Sequence, residues 1–119
     1  MRQIFLSSDA RTRPAWLEAF PELITERLDM PAAALPDGRA LVWALLPAGE
    51  PAAALVDRLR DGLAGRPLLL LADLPSEDEA LAALAAGACG YCNGHAAPEV
   101  LLQVALVVAN GGIWVGQGL

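Results

Sequence analysis

The chain of 119 residues contains no lysine, and all 8 of its basic residues are arginine. That absence removes Schiff-base chemistry and the lysine of a phosphate-binding loop. Positive charge is scarce altogether: 14 acidic residues give a formal net charge of −6. Nucleic-acid affinity rests largely on cations that neutralise phosphates, so this domain is not expected to bind DNA or RNA directly. Two cysteines are too few for a disulfide framework and read as reduced thiols. Apolar runs such as Pro67–Ala72 and Val100–Leu102 fall far short of the roughly 18 residues a membrane span needs. The segment MRQIFLSSDARTR has too short an apolar core for a secretory signal. The expectation is a soluble, cytoplasmic chain with no membrane partner.

Apolar residues make up 55% of the chain, which excludes disorder, and the length suits one domain at about 100–200 residues each. The apolar period switches repeatedly between strand-like and helix-like. Gln3–Ser7 and Cys89–Cys92 read as short strands, Ala40–Leu46 and Pro67–Ala72 as buried strands, and Leu23–Leu28 as a half-exposed edge strand. Pro14–Phe20 suits a helix with proline in its first turn, and Met30–Asp37 holds at most a turn or two. Pro51–Gly65 is amphipathic, with Leu55, Leu59 and Leu63 on one stripe. A third helix starts with a capping box, Ser76 at the N-cap and Glu79 at N3, and stops at Gly87. Pro98–Asn110 is the last helix. The alternation implies an α/β fold, a five-stranded parallel sheet covered on both faces in the doubly wound, flavodoxin-like order.

The run LLLLADLPSEDEALAALAAGACGYCNGHA (Leu68–Ala96) resembles the fourth strand, fourth helix and fifth strand of response-regulator receiver domains, the CheY-like (βα)5 three-layer sandwich. The helix after it and GGIWVG (Gly111–Gly116) resemble the receiver end of NarL/LuxR-type transcriptional regulators. In that family the strand ends hold a phosphoryl-transfer site. An acid pair binds Mg²⁺, an aspartate accepts the phosphoryl group, and a hydroxyl and a lysine neutralise its oxygens.

Carried across position by position, that site is degenerate. The acid pair falls on Ser8-Asp9, or on Ser7-Ser8, so at most one acid remains. Counting back from Pro47 puts the acceptor at Trp43, or at Ala44 with a one-residue shift. The hydroxyl position is Ala72 and the lysine position is Gly94; only the switch aromatic, Tyr91, is kept. The resemblance implies a phosphorylation-independent pseudo-receiver, non-catalytic and without cofactor or metal, acting on an attached output domain. The family places that domain after the last helix, and GGIWVGQGL fits a chain cut just before one of helix-turn-helix type.

Other residues have a chemical and a structural reading. Cys89-Gly90-Tyr91-Cys92 with His95 could be a redox or zinc set, yet residues three apart in a strand are about 10 Å apart and face opposite sides. Asn93 and His95 could contact a ligand at the strand ends, or be ordinary loop residues. Asp73, Glu77, Asp78 and Glu79 suit a solvent-facing helix start more than a cation site. The Trp43 indole either plugs the lost phosphorylation pocket or lines a small-molecule site there, the latter making the protein a ligand sensor.

The last helix is apolar nearly all round. If Val100, Leu101, Val104 and Val108 cover the sheet, Leu102, Ala105, Leu106 and Ala109 point away. Exposed Leu or Val forgoes about 1.5–3 kcal/mol each, and such patches mark interfaces. A homodimer through Leu102 and Leu106 is expected, unless chain beyond Leu119 or another packing covers them.

Overall fold

The computed structural model describes residues 1–29 and 35–116. Its sheet has strands β1 (Arg2–Ser7), β2 (Ile24–Arg27), β3 (Ala40–Leu45), β4 (Leu68–Ala72), β5 (Gly90–Asn93) and β6 (Trp114–Val115). All neighbours pair in parallel, in the order β2-β1-β3-β4-β5-β6. Helices α1 (Pro14–Ala19), α2 (Ala52–Leu59), α3 (Glu77–Ala86) and α4 (Pro98–Ala109) connect them.

The two middle strands, β3 and β4, are apolar throughout because both of their faces are covered. Ile4, Leu6, Val42, Ala44, Leu70, Ala72 and Tyr91 enter one core, under α2 and α3. Phe5, Leu41, Trp43, Leu69, Leu71 and Cys92 enter the other, under α1 and α4. The result is a three-layer sandwich.

Two details differ from the sequence reading. The sheet has six strands among the described residues, not five. Trp114–Val115, in the GGIWVG segment, satisfies the open edge of β5: Trp114 N–H donates to the Cys89 carbonyl at 3.0 Å and Gly116 N–H to Tyr91 at 3.3 Å. The helix expected over Pro51–Gly65 ends at Leu59 and continues as a 3₁₀ turn, Asp61–Leu63. Ala64 and Gly65 then both take positive φ, which no helix accepts, while Leu55, Leu59 and Leu63 stay on the buried stripe. Part of the Met30–Asp37 segment, residues 30–34, lies outside the described residues.

The third helix starts and stops where its sequence indicates. Glu79 N–H donates to Ser76 Oγ at 3.2 Å, and Gly87 caps the other end at φ 117°.

Candidate functional site at the strand ends

The carboxyl ends of β1, β3, β4 and β5 form a rim, where open α/β sheets hold their chemistry. At the end of β1, Ser7 is buried while Ser8 and Asp9 are exposed. The Asp9 carboxylate folds onto its own loop. It accepts hydrogen bonds from Arg11 N–H at 3.1 Å and Ser7 Oγ at 3.2 Å, and Arg11 Nε lies 3.7 Å away. The Arg11 amide, first among these contacts, holds the Asp9 carboxyl below its ordinary range.

Trp43 does not plug the rim. It pairs in register with Phe5 and Leu69, inside β3, and is fully buried under α1 and α4. Its ring stacks on Phe5 at 5.1 Å and 5°, and Phe5 stacks on Trp16 at 4.7 Å. The indole N–H donates to Gln3 Oε1 at 2.7 Å, toward the start of β1 and away from the rim. The alternation of the strand explains the difference: Trp43 shares its face with Leu41 and enters a core that an aromatic trio fills. Ala44, the shifted alternative, is fully buried in the opposite core.

The rim is occupied instead by two residues that no motif flagged as a pair. Arg13, just before α1, reaches across to Asp73, just after β4. Nη1 and Nη2 meet the two carboxylate oxygens at 2.7 and 2.9 Å. Nη1 also donates to the Gly94 carbonyl at 3.0 Å, and the guanidinium lies 5.1 Å from the Trp16 ring centroid. Trp16 donates its own indole N–H to Gly94 O at 3.3 Å, and His95 Nε2 is 3.2 Å from Asp73 Oδ1. The Arg13 hydrogen bonds hold the Asp73 carboxyl below its ordinary range and push the Arg13 pKa up.

Asp73 therefore is not a free helix-start acid, as its place in the acidic cluster suggested. Gly94 lies tight against the pair. A Cβ on Gly94 would stand 2.6 Å from Asp73 Oδ1, 3.0 Å from Arg13 Nη1 and 3.2 Å from Leu45 Cδ1. A side chain at 94 would press on the ends of the Arg13 and Asp73 side chains, which would have to shift to admit it. Beside them Ala72 is buried, and the exposed Asn93 accepts the His95 N–H at 2.8 Å, closing a turn.

Tyr91 is fully buried, and its hydroxyl stands inside the capping box of α3. It accepts the Ser76 N–H at 3.0 Å and donates to Glu79 Oε1 at 2.5 Å, so phenol replaces the direct Glu79-to-Ser76 bond. Burial, reinforced by Glu79, pushes the Tyr91 pKa up to about 12.

Both cysteines are free thiols packed against the core under α1 and α4, so they do not take opposite sides as a regular strand would require. Cys89 precedes the first residue of β5 and escapes its alternation. Among the described residues no cluster of His, Cys, Asp and Glu has the make-up of a metal site. No described helix is long and apolar enough to cross a membrane.

On α4, Leu102 and Leu106 are 49% and 67% exposed, but Ala105 is buried and Ala109 partly so. The stripe on the sheet is Leu101, Val104, Ala105 and Val108, with Val100 and Ala109 packed against its edges, so it keeps the expected residues and is wider by the two alanines.

No family model matches the sequence, and no curated protein matches it either. Solved structures do. A LuxR family DNA-binding response regulator from Silicibacter pomeroyi superposes with a TM-score of 0.67 over 98% of this chain and 99% of that one, at 18% identity. The isolated receiver domain of RcsB from Salmonella enterica serovar Typhimurium gives 0.63 over 98% and 94%, at 13% identity. The response regulator ChrA of a heme-sensing two-component system gives 0.61 at 20% identity; the match covers 97% of this chain and 60% of ChrA. The fold is that of response-regulator receiver domains, several of them from LuxR-family regulators.

Proposed function

We propose, from the receiver fold shared with LuxR-family response regulators, that this chain is a phosphorylation-independent receiver: a non-catalytic signalling and dimerisation module. The observation that carries the reading is the Arg13–Asp73 ion pair lying where the fold would otherwise gather phosphate and metal. Its cation comes from the β1–α1 loop and its anion from the β4–α3 loop, so charge at the rim is balanced internally. An incoming phosphoryl group meets Trp43 and Ala44 sealed in two cores, no hydroxyl at Ala72 and no lysine anywhere.

What phosphorylation would otherwise assemble, the ion pair holds permanently: the loops after β1, β4 and β5 are tied by one guanidinium. The exposed Leu102–Leu106 face of α4 suits a second copy, and an output domain in cis, of DNA-binding type as in LuxR-family regulators, would receive the signal. The chain itself carries an acidic balance that gives DNA nothing to hold. A small-molecule sensor using Asn93 and His95 at the rim is the second reading; the ion pair leaves it less room.

Incubation with acetyl phosphate and Mg²⁺, followed by intact-mass and peptide mass spectrometry, tests this. An unmodified chain is expected. An aspartyl phosphate on Asp9 or Asp37 would overturn the proposal.

A further inference from the structure

Parallel strands start at one edge of their sheet, and three arginines stand at that edge. Arg2 opens β1, Arg39 precedes β3 and Arg66 lies two residues ahead of β4, and these strands are neighbours. Hydrogen bonds link them in a row. Arg2 N–H donates to the Arg39 carbonyl at 3.4 Å, while Arg66 Nε and Nη2 donate to Gly38 O at 3.0 Å and Pro36 O at 2.5 Å. Adjacent strands lie about 4.8 Å apart, so the row spans about 10 Å.

None of the three has a carboxylate partner among the described residues. The other arginines all do: Arg11 with Asp9, Arg13 with Asp73, Arg27 with Asp29, Arg58 with Glu50 and Arg60 with Asp57. Residues 30–34 and 117–119 carry no acidic side chain, so none of these supplies the missing partner. Glu22 lies in the groove beside Arg2 and Arg39, and Asp37 two residues before Arg39, yet neither pairs with them. With 14 acids against 8 arginines, cations without acids on one edge are a segregation of charge. Helix carbonyl ends also gather there and attract cations. Arg60 serves one of them through the Ala86 carbonyl of α3. Arg66 instead holds Gly38 and Pro36, which belong to no helix, and the exposed Arg39 side chain holds no acceptor among the described residues.

Three open grooves run along this edge and share these side chains. One of 640 Å³ is lined by Arg2 and Arg39, the next, of 580 Å³, by Arg39 and Arg66, and the third, of 320 Å³, by Arg66 and Arg60. No carboxylate lines the second or the third, and Met1, Pro67 and Ala109 give the second apolar walls.

We propose that this edge is a docking surface for an extended acidic segment of a partner protein. Grooves joined through shared arginines suit a chain laid along them more than one compact anion. An extended chain advances about 3.3 Å per residue, so about three residues cover the row, and alternate carboxylates fall on the same side. The net charge of −6 repels such a segment elsewhere and steers it here. Three cations are too few to hold a DNA duplex against that balance. The surface lies at the opposite end of the strands from the Arg13–Asp73 pair, so it stands whether or not the rim accepts phosphate.

The test is fluorescence anisotropy of a dye-labelled peptide of alternating glutamate and alanine, titrated with the full chain at low ionic strength. Saturable binding is expected, weakened about tenfold by Arg39→Glu. Should that variant not fold, Arg2→Glu gives the same reading. Arg27→Glu makes the same change of net charge at an exposed site off this edge and should leave the affinity unaltered. No saturable binding, or an equal loss in Arg27→Glu and Arg39→Glu, would overturn the surface. So would a DNA duplex that displaces the peptide more readily than unlabelled peptide does, since the edge would then serve nucleic acid.

Discussion

Arg13 and Asp73, 60 positions apart in the chain, face each other through two parallel hydrogen bonds of 2.7 and 2.9 Å. The geometry is the bidentate fork that a guanidinium makes with a carboxylate or a phosphate. At this rim the carboxylate is built in.

That pair gives a signed pH dependence. The Asp73 carboxyl is held below its ordinary 3.8, chiefly by the Arg13 hydrogen bonds. A depressed acid stabilises the fold above its unfolded value and loses that contribution as pH falls through the folded one. Both side chains are partly exposed, so Asp73→Ala should cost only about 1 kcal/mol near neutrality. Urea unfolding of wild type and variant should show that gap closing as the solution is taken below pH 3.8. A gap that persists in strong acid would assign it to something other than the ion pair.

Tyr91→Phe removes a hydroxyl that serves two partners at once. Ser76 N–H loses its acceptor and the Glu79 carboxylate its donor. A loss of about 1–3 kcal/mol is expected, with faster hydrogen exchange confined to the first turn of α3. An unchanged denaturation midpoint would mean water replaces the phenol without penalty.

Trp43→Asp, the substitution that would restore a family acceptor by position, should fail to restore phosphorylation. It puts a carboxylate into the Phe5–Trp16 stack in place of an indole. Losing the buried ring alone costs about 3–5 kcal/mol, before the unpaired charge is counted. Circular dichroism should show an unfolded or molten chain; a folded protein labelled at residue 43 would contradict the register described above.

Leu106→Glu should convert a dimer to a folded monomer in light scattering across a hundredfold dilution, since Leu106 is 67% exposed and supports no core. A dimer unaffected by the change would move the interface off α4.

The layers of the fold were legible because β3 and β4 are apolar at every position and α2 is apolar on one stripe. Those patterns follow from burial on two faces and on one. The absence of lysine was equally legible, as was the kept Tyr91. The Arg13–Asp73 pair was not. Arg13 and Asp73 lie in loops, where neither period nor motif links them, and only the folded β1–α1 and β4–α3 connections bring them together. The closest signal was a basic residue just ahead of α1 in a chain poor in cations. Trp43 was misplaced for a related reason: counting from Pro47 fixes a position along the strand but not which layer its side chain enters. Ala105 shows the same limit on a helix, where the apolar pattern of α4 runs nearly all round and does not mark where the buried stripe ends.

The last strand bonds to the backbone of the residue whose phenol reaches α3. Gly116 N–H is held by the Tyr91 carbonyl, and the Tyr91 hydroxyl by Ser76 and Glu79. Mechanically, then, tension applied to the chain at Gly116 is delivered through one residue to the first turn of a helix on the opposite layer. Peeling the two-residue strand off the edge would slacken that line and lift Trp114 off the core under α1 and α4, which makes the sheet edge the compliant element and the rim beside it the anchor.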